Sequence, residues 1–178
     1  IQVLEARLPR FLYFGDYQTM PGRISLNDLA RRLEEDIPVE AEEEPFLALV
    51  EIIQSSVGEL RDEVHAERLQ RELEGASNHI TDEMFKFWQQ NQDLQVRFER
   101  KEANPDDPAP LNSGRVLEIR VYNPTHRVTV PFDQRSKGFR WFFLFLDYFQ
   151  VMVEASDEDR RTILLLDEPR LSLHGMAK

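Results

Sequence analysis

Cysteine is missing from all 178 residues. Its absence removes disulfides, thiolate catalysis and Cys-based zinc or iron–sulfur sites together, leaves oxygen donors to hold any metal, and suits a reducing compartment such as the cytoplasm. Basic residues are in deficit, with 22 Lys and Arg against 33 Asp and Glu for a net charge of -11. Phosphate binding draws on clusters of Lys and Arg, so this balance argues against a surface that coats nucleic acid and confines any DNA contact to a local patch. A membrane-length apolar run is also lacking. The most apolar stretch, Gly138 to Val153, is interrupted by Arg140, Asp147 and Gln150 and is shorter than the ~20 residues a span needs. His65, His79, His126 and His174 share no metal-ligand spacing, and no internal repeat is visible. The chain opens at Ile1 with neither an initiator Met nor a basic-plus-apolar leader, which reads as a piece cut from something longer.

What is present is a core-forming chain, 41% of it hydrophobic. Phe11 to Phe14 reads as a short buried strand, and Met20-Pro21-Gly22-Arg23 as a turn. Ser25 or Asn27 caps a helix through Leu33, and the acidic run from Glu34 to Glu44, broken by Pro38, reads as a solvated linker. From Pro45 onward Phe46, Leu49, Val50, Ile53 and Val57 recur at helical steps and form one apolar stripe. Glu59 to Glu74 is densely charged with sparse apolar positions, the pattern of an exposed helix or helical hairpin that projects from the core. Thr81 starts another helix, with Met84, Phe85 and Trp88 on one face, ending near Gln92. Alternation at Leu94, Val96 and Phe98 then indicates a strand, Asn104 to Gly114 a surface loop, and Val116 to Tyr122 and Arg127 to Val130 further strands. Trp88, Trp141, Phe142, Phe143 and Phe145 sit at helical spacing and are core candidates rather than base-stacking platforms.

The last fifty or so residues carry the chemistry. Thr162-Ile-Leu-Leu-Leu-Asp-Glu-Pro169 is a continuous apolar run, as in a strand buried on both faces of a parallel sheet, followed at once by two carboxylates. A buried strand holds Asp167 at its C-terminal edge, where open α/β sheets bind ligands; there Asp167 can hold Mg²⁺ against nucleotide phosphates and Glu168 can polarise the attacking water. The plain alternative is a core strand ending in an acidic turn. Upstream, Gln134-Arg135-Ser136-Lys137-Gly138 stands at the entrance to an aromatic helix from Phe139 to about Val153. First-turn amides point at whatever lies in front of them, Gly138 permits close backbone approach, and Arg135 and Lys137 add positive charge, so an anion is welcome. The plain alternative here is a helix cap, since Ser is an ordinary capping residue.

Taken together, Asp133-Gln-Arg-Ser-Lys-Gly-Phe-Arg-Trp-Phe-Phe143 and Ile163-Leu-Leu-Leu-Asp-Glu-Pro-Arg-Leu-Ser-Leu-His174 resemble the signature helix, Walker B strand and D-loop of ABC-type ATPases of the SMC/RecF/OLD-like class. Leu8 to Phe14 and Tyr17 to Asn27 are similar to the strand that precedes the helical insertion between the two ATPase halves in such proteins. The resemblance implies an α/β ABC-type P-loop NTPase lobe with a helical insertion: residues 1–33 ending the first ATPase half, 34–92 the acidic linker and insertion, and 93–178 the lobe with signature, Walker B and D-loop. It implies ATP and Mg²⁺ as cofactors, Asp167 as the metal carboxylate and Glu168 as the catalytic base. Arg135, Ser136, Lys137 and Gly138 would meet ATP held by a second subunit, in a homodimer, and Leu171, Ser172 and His174 would form the D-loop. Arg170 departs from the pattern, since relatives often carry Gly after Glu-Pro.

Missing from the family's set is the Gly-x-x-x-x-Gly-Lys-[Ser/Thr] loop that cradles phosphates, so the chain alone is expected not to hydrolyse ATP. Activity would need an N-terminal P-loop lobe. The class further implies DNA repair or antiphage defence, DNA as a partner and a coupled nuclease or effector domain, though no nuclease motif is legible. The rival reading is a non-enzymatic interaction or scaffold module: a helical arm on an α/β base whose Asp-Glu pair merely ends a strand.

Overall fold

A computed structural model describes residues 10–14, 20–62, 65–88, 93–154 and 162–166. Strand β1 is Arg10–Phe14 and β2 is Arg23–Ser25, so the Pro-Gly turn leads directly into a strand. Helix α1, Leu26–Glu34, begins at Ser25, whose hydroxyl accepts from the Asp28 N–H at 3.3 Å. Asn27, the other capping candidate, instead accepts the Arg115 N–H at 2.7 Å and ties the helix start to the strand that begins at Arg115. Helix α2 covers Glu44–Ile52 with Pro45 in its first turn, where a missing N–H costs nothing. Gln54 then takes a positive φ of 59°, which breaks the helical stripe, and Val57 opens a separate short helix α3, Val57–Arg61, capped by Ser56.

Helix α4 runs unbroken through Ala66–Phe87 and buries Leu69, Leu73, Ala76, Ser77, Ile80 and Met84. Two expectations fail here. The charged stretch does not project, because Leu60 on α3 and Leu69 and Leu73 on α4 are buried, and Thr81 does not start a helix but lies inside one. The strands β3 (Gln95–Glu102), β4 (Arg115–Asn123) and β5 (Val128–Pro131) complete an antiparallel sheet with β2. β3 pairs along one edge of β4, with Phe98 opposite Ile119, while β2 and β5 pair with successive parts of β4, Arg23 opposite Glu118 and Val121 opposite Val130.

The outer edge of β3 is closed by α4 rather than left open. Ser77 Oγ accepts the Phe98 N–H and Thr81 Oγ1 accepts the Val96 N–H, both at 2.9 Å. Each hydroxyl passes its own proton back to the helix, to Leu73 O at 2.6 Å and Ser77 O at 2.7 Å. Four residues of helix rise about 6 Å and two residues of strand about 6.6 Å, so the hydroxyls on α4 match alternate amides of an extended edge.

Helix α5, Lys137–Glu154, packs its aromatic face on this assembly, where Phe46, Leu49, Phe132, Phe139 and Phe143 are fully buried with Leu117, Ile119 and Val121. The last strand, β6 (Thr162–Leu166), joins β1 in a separate parallel pair, Phe11 opposite Ile163 and Phe14 opposite Leu166. Expected to be covered on both faces, this pair instead leaves Phe11 61%, Tyr13 57%, Ile163 40% and Leu165 46% exposed among the described residues. The chain is therefore a mixed α/β protein whose main sheet is antiparallel. Among the described residues no helix is long and apolar enough to cross a membrane.

Candidate functional site

The loop between β5 and α5 is built by aromatic burial. Phe132 opens a 3-10 turn over Phe132–Gln134 and is fully buried, its ring 4.9 Å from that of Phe143 and 6.4 Å from that of Phe139. The Arg135 N–H closes the turn on Phe132 O at 2.9 Å. Ser136 comes next and starts α5: its hydroxyl accepts from the Phe139 N–H at 3.3 Å and its carbonyl from the Arg140 N–H at 3.1 Å. Its capping role is thus realised. Lys137 and Gly138 stand at the first helical positions, where amide protons have no carbonyl to meet within a helix. Gly138 is buried and Ser136 and Lys137 are exposed.

Arg135 gives this helix start an unusual electrostatic character. Its guanidinium lies over the Phe139 ring, 4.9 Å from the centroid, and its Nε is buried without a hydrogen-bond partner among the described residues. Burial alone pushes its pKa down from the ordinary arginine value. Arg140 Nε is likewise buried without an acceptor among the described residues. A cation partly stripped of water, with no carboxylate bonded to it among the described residues and next to the free amide end of a helix, is suited to an anionic oxygen.

Just before it, Asp133 makes the contact that the sequence did not reveal. Its Oδ1 accepts the Gly22 N–H at 2.7 Å, a contact between residues 111 positions apart. A Cβ on Gly22 would lie 2.8 Å from Asp133 Oδ2, so the glycine is there for close approach as well as for the turn. The Gly22 carbonyl in turn accepts the Ile119 N–H at 2.8 Å. The Pro-Gly dipeptide signalled a turn, and nothing in it signalled this carboxylate.

Arg135, Ser136, Lys137 and Gly138 therefore share one loop and helix start. Asp167, Glu168, Leu171, Ser172 and His174 lie outside the described residues. β6 ends at Leu166, the residue before Asp167, in register with Phe14 at the end of β1. Further along α5, Asp147 is wholly buried and neither carboxylate oxygen has a hydrogen-bond partner among the described residues. Burial, with Glu51 adding repulsion, raises its pKa well above the ordinary 3.8. In the sequence it was only an interruption in an apolar run.

Elsewhere, a groove of about 690 Å³ between the end of α2 and α4 is lined by residues of both signs, including Glu51, Arg68, Arg71, Glu72 and His79. No group of three or more His, Asp or Glu side chains able to hold a metal ion occurs among the described residues. The chain matches no family model, no curated protein and no solved structure.

Proposed function

We propose that this chain is the signature-bearing lobe of an ABC-type ATPase of the SMC/RecF/OLD-like class, which works as a nucleotide-dependent dimer in DNA processing, repair or defence. The observation that carries the reading is Arg135 just before α5: a buried Nε without an acceptor among the described residues, beside helix amides and a Ser136 cap. That donor set fits a phosphate oxygen, which would fill the guanidinium's open position and meet the first-turn amides. The parallel β1–β6 pair adds support, since it ends one residue before the Asp167-Glu168 carboxylates, the kind of strand end at which α/β proteins hold ligands.

On this reading Mg²⁺-ATP, bound by a P-loop lobe, supplies the phosphoanhydride to be cleaved. Asp167 holds the metal. Glu168 accepts a hydrogen bond from the attacking water, orients it and takes its proton as attack proceeds. Arg135, Ser136 and Lys137 reach the terminal phosphate from the opposite subunit, so two composite sites form only when two copies close head to tail. The scaffold reading depends on a projecting arm, and α4, which that arm would require, buries one face along β3.

The test is Mg²⁺-dependent ATP hydrolysis by the complete protein, with its oligomeric state recorded in the presence of ATP. Glu168→Gln is expected to lower kcat at least ~100-fold while a nucleotide-bound dimer accumulates. Ser136→Arg is expected to abolish both hydrolysis and dimerisation. Unchanged hydrolysis in both variants, or none in the folded natural protein, would return the motifs to a structural role.

A further inference from the structure

We propose that Asp133 is a positioning residue: clamped on the Gly22 N–H, its carboxylate fixes the loop that aims Arg135 and Ser136 at a nucleotide phosphate. The inference rests on the ATPase reading and adds a part to it. The clamp is short, 2.7 Å, and shape-specific, because the carboxylate occupies the space that any side chain on residue 22 would need. It is also anchored on its far side. Gly22 is held by its carbonyl to Ile119 in the middle of the main sheet, so the Asp133 carboxylate meets backbone that is itself bonded to the sheet.

From Asp133 the path to the phosphate-facing groups is short. Asp133 lies inside the 3-10 turn that Arg135 closes, and Ser136 follows directly as the first residue to engage α5. One end of this turn is set by Phe132, whose ring is fully buried against Phe143. The Asp133–Gly22 bond supplies the second fixed point, and two points define the direction in which the Arg135 guanidinium leaves the loop. Gly22 also belongs to the segment that follows β1, the partner of β6, so the clamp ties that segment to the phosphate-facing loop. Misplacement of a positioned group by about 1 Å can cost on the order of 100-fold in rate, which sets the scale of the effect.

The experiment compares Asp133→Ala, Asp133→Asn and Gly22→Ala in the complete protein by amide hydrogen exchange and by ATP hydrolysis at saturating and limiting nucleotide. Asp133→Ala is expected to speed exchange of the Arg135, Phe139 and Arg140 amides and to lower kcat/KM by roughly 10- to 100-fold. Asp133→Asn keeps an Oδ1 acceptor and is expected to stay within about 3-fold of the natural protein, well short of that loss. Gly22→Ala should behave as Asp133→Ala does, and the double variant Gly22→Ala/Asp133→Ala no worse than Asp133→Ala alone, since the colliding carboxylate is then gone. Unchanged exchange in Asp133→Ala, or faster exchange with unchanged kcat/KM, overturns the positioning role while leaving the ATPase reading intact. Absence of hydrolysis in the natural protein overturns the ATPase reading itself and removes the phosphate from the role of Asp133.

Discussion

Replacing Asp147 by leucine should stabilise the protein, and should do so more as the pH rises. Asp147 is fully buried on α5, and neither of its oxygens has a partner among the described residues. A polar group buried without a hydrogen bond costs about 1–3 kcal/mol by the measure of mutational data, and leucine removes that cost while filling the site with apolar volume. For a chain of this length each kcal/mol moves Tm by about 2–4 °C, so a rise of roughly 2–12 °C is expected at pH 7. The pH dependence follows from the raised carboxyl. In the unfolded chain Asp147 loses its proton near the ordinary 3.8, whereas in the folded protein burial, then repulsion from Glu51, keeps the proton on to higher pH. Above 3.8 the folded state therefore binds more protons than the unfolded one, and this residue's contribution falls with rising pH until its folded pKa is passed. The slope is at most about 1.4 kcal/mol per pH unit. Thermal melts of the natural protein, Asp147→Leu and Asp147→Asn from pH 4 to pH 8 check this, with the natural-minus-Asn difference isolating the one titration. A Leu variant that melts lower than the natural protein at pH 7, or a difference curve flat across the range, would refute the reasoning.

The edge of β3 offers a test of its own. Ser77→Ala leaves the buried Phe98 N–H without an acceptor, and a loss of about 1–3 kcal/mol is expected in chemical denaturation, with faster amide exchange at Phe98. Gly114 has a φ of +72°, and a Cβ there would stand 2.2 Å from Asn27 Oδ1, so Gly114→Ala should cost more than the roughly 1 kcal/mol of an ordinary left-handed alanine. Asn27→Ala in the same chain should recover part of that loss, read by the same denaturation.

How much of this was legible depended on whether local pattern or distant contact decided the outcome. The alternation of Val96 and Phe98 placed β3, and Ser25 placed the start of α1, because strand period and capping chemistry act within a few residues. The stripe from Phe46 to Val57 was misjudged at its end, where Gln54 adopts a left-handed backbone that residue type alone does not announce. Thr81 looked like a helix start because Ser and Thr favour caps. In the fold its hydroxyl serves β3 instead, a role set by a strand fifteen residues away. For the same reason the Ser136 cap was readable and the Asp133–Gly22 clamp was not.

The parallel pair β1–β6 is where residue type and surroundings disagree most. Ile163, Leu164 and Leu165 have the composition of a central strand, and parallel sheets are almost always covered on both faces because their crossovers lay helices there. Yet Ile163 and Leu165, with Phe11 and Tyr13 opposite them, present one apolar face to solvent among the described residues. The contrast with β3 is informative, since that edge is closed by hydroxyls from its own chain at α4. The edge of β3 is thus satisfied from within the chain, whereas the apolar face of the β1–β6 pair is left exposed among the described residues. Under the ATPase reading a P-loop lobe would cover Phe11, Tyr13, Ile163 and Leu165 with its own parallel strands and helices, in the same step that brings the phosphate cradle beside Asp167 and Glu168.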